Sequence, residues 1–373
     1  MDPLAEFRAA VADPASYVRS ATAQSGKKAV GTLCSYAPEE LIYAAGAHPV
    51  RLFGTSGAER LADRHLQSYC CSLVRGVLED ALAGRSDFLA GVVFPHTCDS
   101  IQRLSDLWRL NVPGAFHIDA VLPARLDTAS ARDYLLDVLR RFRSDLERKL
   151  RVSISDESLR RAIDLYNRIR EMLARLYELR NENPCGIRGR DVHTIVKAST
   201  ILDRDRLVVV LPPALQALED VHECTAGNKA KRVLLAGGLC DHPELYSFIE
   251  EAGGVVVWDD FCTGTRGFSG TIDGDGDPLA AIAQRYAERP VCPAKHRGIR
   301  ERAEHLVRLA KEKEARGVVF LLVKFCDPHA FDYPYLKEAL DGAGIPSMLF
   351  EMEDQLPAEG QLRTRFEAFL EMI

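Results

Sequence analysis

Residues 317–340 read GVVFLLVKFCDPHAFDYPYLKEAL, and this stretch indicates the class of fold. Val318–Val323 is an unbroken apolar run rich in β-branched residues, which predicts a strand buried on both faces of a sheet. Cys326 follows shortly after the strand. Pro334 then predicts the start of a helix over Tyr335–Leu340. A buried strand followed by a helix is typical of an open α/β sheet, in which ligands bind at the carboxyl ends of the strands.

Three other predicted strands are also followed within a few residues by a cysteine, namely Gly91–Phe94 by Cys98, Val233–Ala236 by Cys240 and Val255–Trp258 by Cys262. The carboxyl ends of parallel strands lie at one edge of a sheet, so we expect these cysteines on a common rim. Thiolates gathered in this way are suited to bind a metal cluster. The alternative for any single cysteine is a buried thiol that packs as a small hydrophobic side chain.

The composition excludes several classes of protein. The chain has 373 residues, of which 47% are hydrophobic and 27% charged, as expected for a globular protein of two or three domains. Its net charge of −6 gives no basic surface for nucleic acid. The N-terminal segment lacks the apolar core of a signal peptide, and no apolar stretch reaches the roughly 18 residues of a membrane-spanning helix. We therefore expect a cytoplasmic protein without a nucleic-acid or membrane partner, in which the cysteines stay reduced.

The order of predicted elements indicates three parts. Strands and helices alternate near the N-terminus and again from Lys231 onwards. Residues 131–202 instead predict long helices, and Ser155 is placed to cap one of them. We expect an α/β fold with two parallel-sheet domains of the Rossmann or flavodoxin type and a helical subdomain between them. The predicted domains are 1–130, 131–225 and 226–373.

Motifs that define several common site classes are missing. The chain has no CxxC pair, no ferredoxin-type cysteine run and no GxxxxGK[S/T] phosphate-binding loop. It also has no GxGxxG after a predicted strand and no GxSxG nucleophile motif. Residues 271–277, TIDGDGD, look like a calcium loop but lack its flanking helix and closing glutamate. The ligands of any metal cluster must therefore come from distant parts of the chain.

Other cysteines stand next to predicted helix starts. Cys34 precedes one predicted helix, and the pair Cys70 and Cys71 leads into another. A helix dipole lowers the pKa of a thiol at its N-terminus, which favours metal binding or chemical reactivity. Neighbouring residues at a helix start point in different directions, so we expect only one of the pair in a shared site. Cys185 and Cys224, in or just after the helical block, are not expected to be ligands.

Six stretches of the chain resemble one known family. They are GTLCSYAPEELIYAAG (31–46), FPHTCD (94–99), DDFCTGTRGF (259–268), RPVCPAKH (289–296), KFCDPHAFDYP (324–334) and GQLRTRFEAFLEMI (360–373). In this order they resemble the 2-hydroxyacyl-CoA dehydratase and benzoyl-CoA reductase family over nearly the whole chain. The resemblance implies a cytoplasmic, oxygen-sensitive iron–sulfur protein with two α/β domains and a dimeric assembly. It also implies a separate ATP-hydrolysing activator that supplies low-potential electrons.

The resemblance further implies which cysteines bind the cluster. Simple subunits of the family hold one [4Fe-4S] cluster through three cysteines, and the matching positions are Cys71, Cys98 and Cys326. A double-cubane branch of the family binds an [8Fe-9S] cluster with three additional cysteines, which match Cys34, Cys262 and Cys292. All six positions are cysteine in this chain, which favours the double-cubane branch.

Side chains next to these cysteines are candidates for proton transfer, which a reduction requires. They are His96, Lys324 and His329, and Arg266 is a further candidate for positioning a substrate. The alternative for the two histidines is a structural role in their loops.

Three hypotheses about function follow. The first is a reductase of small molecules with a double-cubane cluster, which forms a homodimer and receives electrons from the ATP-dependent activator. The second is the [4Fe-4S] subunit of a heterodimeric 2-hydroxyacyl-CoA dehydratase or benzoyl-CoA reductase, which acts on an acyl-CoA thioester. The third is a non-enzymatic, thiol-rich protein that binds a metal such as zinc.

Overall fold

The computed structural model describes residues 2–54, 61–221, 230–290, 292–295, 297–353 and 356–373. Over this part of the chain, eight strands form two four-stranded sheets, and α-helices surround both. Every strand runs parallel to its neighbours in the sheet. The expected α/β fold with two parallel sheets is therefore confirmed.

The first sheet has the spatial order β2-β1-β3-β4. Its strands are β1 (Ala29–Thr32), β2 (His48–Arg51), β3 (Leu89–Pro95) and β4 (Phe116–Ala120). The helices before and between them are α1 (Ala5–Ala12), α2 (Pro14–Ser25), α3 (Glu39–Ala44), α4 (Ser72–Leu82) and α5 (Asp99–Asn111). A short 3₁₀ helix, Ala62–Arg64, precedes α4.

Four helices follow the first sheet, namely α6 (Ala129–Leu150), α7 (Asp156–Glu182), α8 (Gly189–Ser199) and α9 (Arg204–Glu219). Ser155 caps α7, as predicted, because its side chain accepts a hydrogen bond from the Ser158 N–H. Buried apolar side chains of these four helices and of the first sheet form one continuous hydrophobic core.

The second sheet has the spatial order β6-β5-β7-β8. Its strands are β5 (Lys231–Gly237), β6 (Gly254–Asp260), β7 (Gly317–Val323) and β8 (Ser347–Met352). The helices of this half are α10 (Glu244–Glu251), α11 (Thr265–Phe268), α12 (Pro278–Glu288), α13 (Ile299–Glu312), α14 (Asp327–Gly342) and α15 (Glu359–Met372).

Alternating residues of the central strands bury both faces of the second sheet. On one face, Leu235 and Val319 pack with side chains of α10 and α15. On the other face, Leu234 and Phe320 pack with α13 and α14. Every residue of β7 is buried, so the strand predicted from the apolar run at Val318–Val323 is confirmed.

The two sheets share the same strand order, because in each the second strand lies on one side of the first and the third strand on the other. The chain therefore changes direction between β1 and β3, and again between β5 and β7. In open α/β sheets, ligands bind in the crevice that such a change leaves at the carboxyl ends of the strands. The two halves therefore have the same sheet topology.

The helix after β7 begins earlier than the sequence predicts. Pro334 does not open this helix but lies inside α14, which begins at Asp327. Pro328 occupies the first turn, where no intrahelical N–H donor is needed. The missing N–H of Pro334 is tolerated because Leu336 anchors the helix in the core. The earlier start makes Cys326 the N-cap residue of α14.

The division into three domains remains a prediction, since the expected boundary near residue 225 falls among residues 222–229, outside the described residues. The segment between β6 and β7 connects the two halves, because α12 packs against α6 and α7. Among the helices of the described ranges, none is both long and apolar enough to cross a membrane.

Candidate metal centre

Three of the predicted ligands share one local geometry. Each is the N-cap residue of a helix, namely Cys71 of α4, Cys98 of α5 and Cys326 of α14. Burial raises the pKa of all three thiols, and a backbone N–H three residues further on counteracts this in each case, from Val74, Ile101 and His329. None of these contacts closes into a cap hydrogen bond. The Val74 and His329 N–H groups donate instead to the carbonyls of Cys71 and Cys326, each at 3.1 Å. The positive end of each helix dipole still favours a thiolate at the N-cap, which is the form that binds metal.

The other three predicted ligands lie in loops. Cys34 follows β1, Cys262 follows β6, and Cys292 lies between α12 and α13. The Cys262 N–H donates a hydrogen bond to the Gly238 carbonyl at 2.8 Å, which ties the loop after β6 to the end of β5. The Lys295 N–H donates to the Cys292 carbonyl, also at 2.8 Å, and closes a tight turn there.

The fold brings these thiols close enough for each to affect the pKa of others. Burial raises the pKa of Cys98 to about 12, and Cys71, Cys34 and Cys292 add to the increase. Burial likewise raises the pKa of Cys326 well above its usual value, with further contributions from Cys71, Cys98 and Cys292. Cysteines from both halves of the chain therefore form one group, in which Cys34 is buried and the others are half-buried.

Cys262 belongs to the same group, because Cys34 and Cys292 add to the effect of burial, which raises its pKa to about 11. Within the described residues, no three side chains of Cys, His, Asp or Glu converge on a point where a single metal ion would bind. An iron–sulfur cluster binds each thiolate through a different iron atom and so spreads its ligands apart. Thiolates that lie near one another in this way have the chemistry that such a cluster requires of its ligands.

Lys295 is a buried cation beside Cys34 and Cys292. Its side chain donates hydrogen bonds to the carbonyls of His96 at 3.3 Å and Leu122 at 3.2 Å. Burial lowers the pKa of Lys295, while the neighbouring thiols raise it. No carboxylate of the described ranges forms an ion pair with Lys295, so the nearby thiols are the groups placed to balance its charge.

Arg289 is a second buried cation in this region. Its guanidinium carbon lies 3.9 Å from the ring centre of Tyr36 and 4.8 Å from that of Tyr286. None of its three side-chain nitrogen atoms has a hydrogen-bond partner among the described residues. Burial raises the pKa of the adjacent Tyr36 hydroxyl, and the charges of Cys292 and Cys34 add to the increase. Because a buried charge without a partner is costly, Arg289 marks a place where a negative group is expected.

A buried ion-pair network supports the loop after β6. Arg266 donates to the Asp260 carboxylate at 2.8 Å and to the Gly237 carbonyl at 2.6 Å. Arg302 also donates to Asp260, at 3.3 Å, and forms an ion pair with Asp332. The sequence singled out Arg266 as a neighbour of the ligands but gave no signal for the network, whose members are far apart in the chain.

The three candidates for proton transfer lie in different surroundings. Nε2 of His96 lies 2.7 Å from a carboxylate oxygen of Asp119, at the end of β3. Lys324 is exposed at the rim and pairs with Glu353. His329 is buried, and burial followed by two nearby arginines holds its pKa well below its usual value, so that its ring is neutral. Their catalytic roles remain predictions.

Two further cysteines, Cys70 at a helix start and Cys240 after a strand, make other contacts. The Cys70 thiol donates weakly to Gln67, at 3.9 Å, and Cys71 rather than Cys70 influences the other thiols of the group. Cys240 follows β5 as predicted, but its thiol donates to the His242 carbonyl at 3.7 Å. Burial, with nearby carboxylates adding to the effect, raises the Cys240 pKa to about 12.

Two other sequence features lie apart from the group. Burial lowers the pKa of Arg180, and the nearby Cys185 acts in the opposite direction. Cys224 lies outside the described residues. The calcium-like segment 271–277 leads into α12, where Asp277 accepts a hydrogen bond from the Leu279 N–H at 2.9 Å. Asp277 therefore acts as a helix cap.

Fold and site together define a two-lobed α/β protein in which thiols of both halves meet near the carboxyl ends of parallel strands. The chain belongs to the 2-hydroxyglutaryl-CoA dehydratase D-component family, whose sequence profile matches residues 34–373. The resemblance drawn from the sequence motifs is thereby confirmed, and so is the prediction of an enzyme.

Named relatives match over almost their entire length. The chain is 28% identical to the (R)-phenyllactyl-CoA dehydratase beta subunit of Clostridium sporogenes, over 99% of this chain and 98% of the relative. It is 27% identical to a benzoyl-CoA reductase subunit of Thauera aromatica, over 94% and 92%. It is 26% identical to the (R)-2-hydroxyglutaryl-CoA dehydratase beta subunit of Acidaminococcus fermentans, over 99% and 98%. All three relatives are named as subunits.

Proposed function

We propose that this chain is an iron–sulfur redox enzyme that reduces small molecules at a double-cubane [8Fe-9S] cluster. The proposed ligands are Cys34, Cys71, Cys98, Cys262, Cys292 and Cys326. Thiolates are the ligands that iron–sulfur clusters take, and the proposal is supported by the influence that these six thiols have on one another. When bound, the cluster supplies electrons at low potential, since burial disfavours its more negative reduced form.

The unpaired cations are the observation that favours two cubanes over one. Lys295 lies beside Cys34 and Cys292, and Arg289 lies over the Tyr36 ring, whose hydroxyl is also influenced by these two thiols. Both cysteines belong to the three that a second cubane needs. Two cubanes with a bridging sulfide and six thiolates carry considerably more negative charge than one cubane on three thiolates. Burying each cation without such a counter-charge costs several kcal/mol.

Other residues of the chain hold the ligands in position. The N-cap positions of Cys71, Cys98 and Cys326 set each thiolate at the positive end of a helix dipole, which stabilises negative charge there and tunes the potential. Arg266 anchors the loop that carries Cys262 through its bond to the Gly237 carbonyl.

We assign proton transfer first to His96, whose Nε2 lies 2.7 Å from Asp119 and whose position follows β3 close to Cys98. Lys324 is the second candidate at the rim. His329 is buried and neutral, which suits a hydrogen-bonding role better than proton delivery from solvent.

The proposed electron donor is an ATP-hydrolysing iron–sulfur activator, as the family resemblance implies. The lack of a phosphate-binding loop motif in this sequence is consistent with a separate ATP-hydrolysing protein. We propose that the chain acts as a homodimer in the cytoplasm.

The iron content of anaerobically purified protein tests the double-cubane proposal. About eight iron atoms per chain are expected for a double cubane and about four for a single cubane. Cys292→Ser should reduce the content to about half, whereas Cys240→Ser, a buried cysteine outside the group, should leave it unchanged. A wild-type content of about four iron atoms would refute the double cubane.

A second candidate is the [4Fe-4S] subunit of a heterodimeric 2-hydroxyacyl-CoA dehydratase or benzoyl-CoA reductase. The names of the relatives favour it, and so does the N-cap geometry that Cys71, Cys98 and Cys326 share. The outcome that supports this candidate is a chain with about four iron atoms that pairs with a paralogous subunit and not with itself.

A further inference from the structure

A small cavity lies beside Cys262, where the first sheet, the helical segment and the loop after β6 come together. Its volume is about 100 Å³. Apolar walls are provided by Ile169 and Leu173 of α7, by Val196 of α8 and by Phe268 of α11. The cavity therefore accepts a molecule of a few carbon atoms with an apolar part.

Two of the arginines that line the cavity are neutralised by glutamates of α3. Arg204 donates to the Glu39 carboxylate at 2.8 Å, and Arg170 forms a buried ion pair with Glu40. These four charges cancel and leave no attraction for a charged ligand.

Two further arginines at the cavity form no ion pair with a carboxylate of the described residues. Arg285 donates to the carbonyls of Gly270 at 2.8 Å and Gly267 at 3.0 Å, which fix its position without balancing its charge. Arg51 is 6% exposed, and its Nε has no hydrogen-bond partner among the described residues. Arg51 also lies near enough to the Cys262 thiol to counteract the increase that burial causes in the pKa of this thiol. Over the described part of the chain, no carboxylate forms an ion pair with either arginine, so both guanidinium groups can receive an anionic ligand in addition to the Cys262 sulfur beside Arg51.

We propose that this cavity binds a short-chain organic acid as its free carboxylate, with Arg51 as the residue that binds the carboxylate group. A guanidinium holds a carboxylate through two parallel hydrogen bonds, and the apolar walls hold the hydrocarbon part. The cavity is far too small for the nucleotide portion of a CoA thioester. Because Cys262 is a proposed cluster ligand, this site names the substrate class of the proposed reductase, and in that respect it rests on the proposed function.

Isothermal titration calorimetry of the anaerobic holoprotein with crotonate tests the inference. Arg51→Gln should weaken crotonate binding at least about tenfold, and Arg51→Lys, which keeps the charge, should recover part of the loss. Arg140→Gln, which removes an exposed arginine of α6, should leave the affinity unchanged. Val196→Phe, which fills the cavity, should also abolish binding and decides the question if Arg51→Gln does not fold.

The iron content of each preparation separates this inference from the proposed function. A wild-type protein with about eight iron atoms that does not bind crotonate overturns the carboxylate site and leaves the double cubane standing. A protein with about four iron atoms that binds crotonate through Arg51 overturns the double cubane and supports the site. Tighter Arg51-dependent binding of crotonyl-CoA than of crotonate overturns the assignment of a free acid.

Discussion

The guanidinium carbon of Arg289 lies 3.9 Å from the centre of the Tyr36 ring, while its nitrogen atoms find no hydrogen-bond acceptor in the described part of the chain. The face of a tyrosine ring attracts a cation by up to about 2 kcal/mol. Removing an arginine from water costs several kcal/mol, so the ring alone does not balance the burial. A negative group nearby would balance the charge of Arg289. Cys292, three residues further along the chain, is one of the proposed ligands of such a group.

Arg289→Met is therefore expected to make the midpoint potential of the proposed cluster more negative, on the order of 50 mV or more, because a positive charge that stabilises the reduced state is lost. A redox titration followed by electron paramagnetic resonance measures the shift. Arg308→Met, which removes an exposed arginine of α13, serves as the control. An unchanged potential in an Arg289→Met protein with full iron content would contradict the role of Arg289.

The adjacent cysteines at the start of α4 should behave differently. Cys71→Ser is expected to remove about half of the bound iron, because Cys71 lies near enough to Cys98 and Cys326 to raise the pKa of both thiols. Cys70→Ser should retain all of the iron. Iron analysis and visible absorption of the two anaerobically purified variants provide the comparison. Equal iron loss in both variants would show that the pair is not divided in this way.

The second sheet shows why part of the fold is predictable. The apolar run of β7 needs no knowledge of distant residues, since an uninterrupted β-branched segment is buried wherever it pairs. The sequence does not predict β1, because Ala29–Thr32 is short and contains Gly31. A Cβ at Gly31 would lie 2.9 Å from a Leu52 side-chain carbon, so neighbouring side chains cover this strand.

The site was predictable only in part for a related reason. Cysteine positions could be proposed from strand ends and from the family resemblance, but Cys326 as a helix cap could not, because two prolines obscure the start of α14. The contacts of Arg289 and Arg51 depend on residues distant in sequence, and no local pattern marks a cation that lacks a partner.

Phe325 adopts a left-handed backbone conformation, with φ of 63°, directly before Cys326, although its side chain is half-exposed. Phe325→Gly should raise the free energy of unfolding by about 0.5–1 kcal/mol, because glycine adopts this conformation without strain. The exposed Phe331 inside α14 offers an opposite control: Phe331→Gly should lower it by about 1 kcal/mol. Urea unfolding of the apoprotein measures both, and destabilisation by Phe325→Gly would contradict the strain.

His48 should make the stability depend on pH. Burial, followed by the nearby Arg204, lowers its pKa to about 4, and its Nε2 lies 2.8 Å from the Ile201 carbonyl. The unfolded chain takes up a proton at this residue below about pH 6.5. Because the folded state does not, stability is lost as the pH falls from about 6.5 towards 4, by roughly 2 kcal/mol at pH 5.

His48→Gln keeps a donor for the Ile201 carbonyl but does not titrate. The difference in the free energy of unfolding between pH 7 and pH 5 should therefore be smaller in this variant by roughly 2 kcal/mol. Chemical denaturation of the apoprotein at both values provides the measurement. An identical difference in the variant and the wild type would mean that His48 does not contribute.

Asp260 should be the most sensitive position of the buried network, because it is 1% exposed and accepts hydrogen bonds from both Arg266 and Arg302. Asp260→Asn keeps the shape of the side chain but removes the negative charge that Arg266 needs. Breaking a buried ion pair in this way is expected to lower the free energy of unfolding by about 3 kcal/mol. Asp137→Asn breaks an exposed pair with Arg140 and should change it by at most about 1 kcal/mol.

Iron retention should respond to Asp260→Asn as well. Arg266 connects Asp260 to the Gly237 carbonyl, and the Cys262 N–H donates to the neighbouring Gly238 carbonyl, so the network fixes the loop that carries one proposed ligand. The variant is expected to lose iron faster than the wild type when a chelator is added anaerobically. If it unfolds more readily but releases iron at the wild-type rate, the network stabilises the second sheet without positioning Cys262.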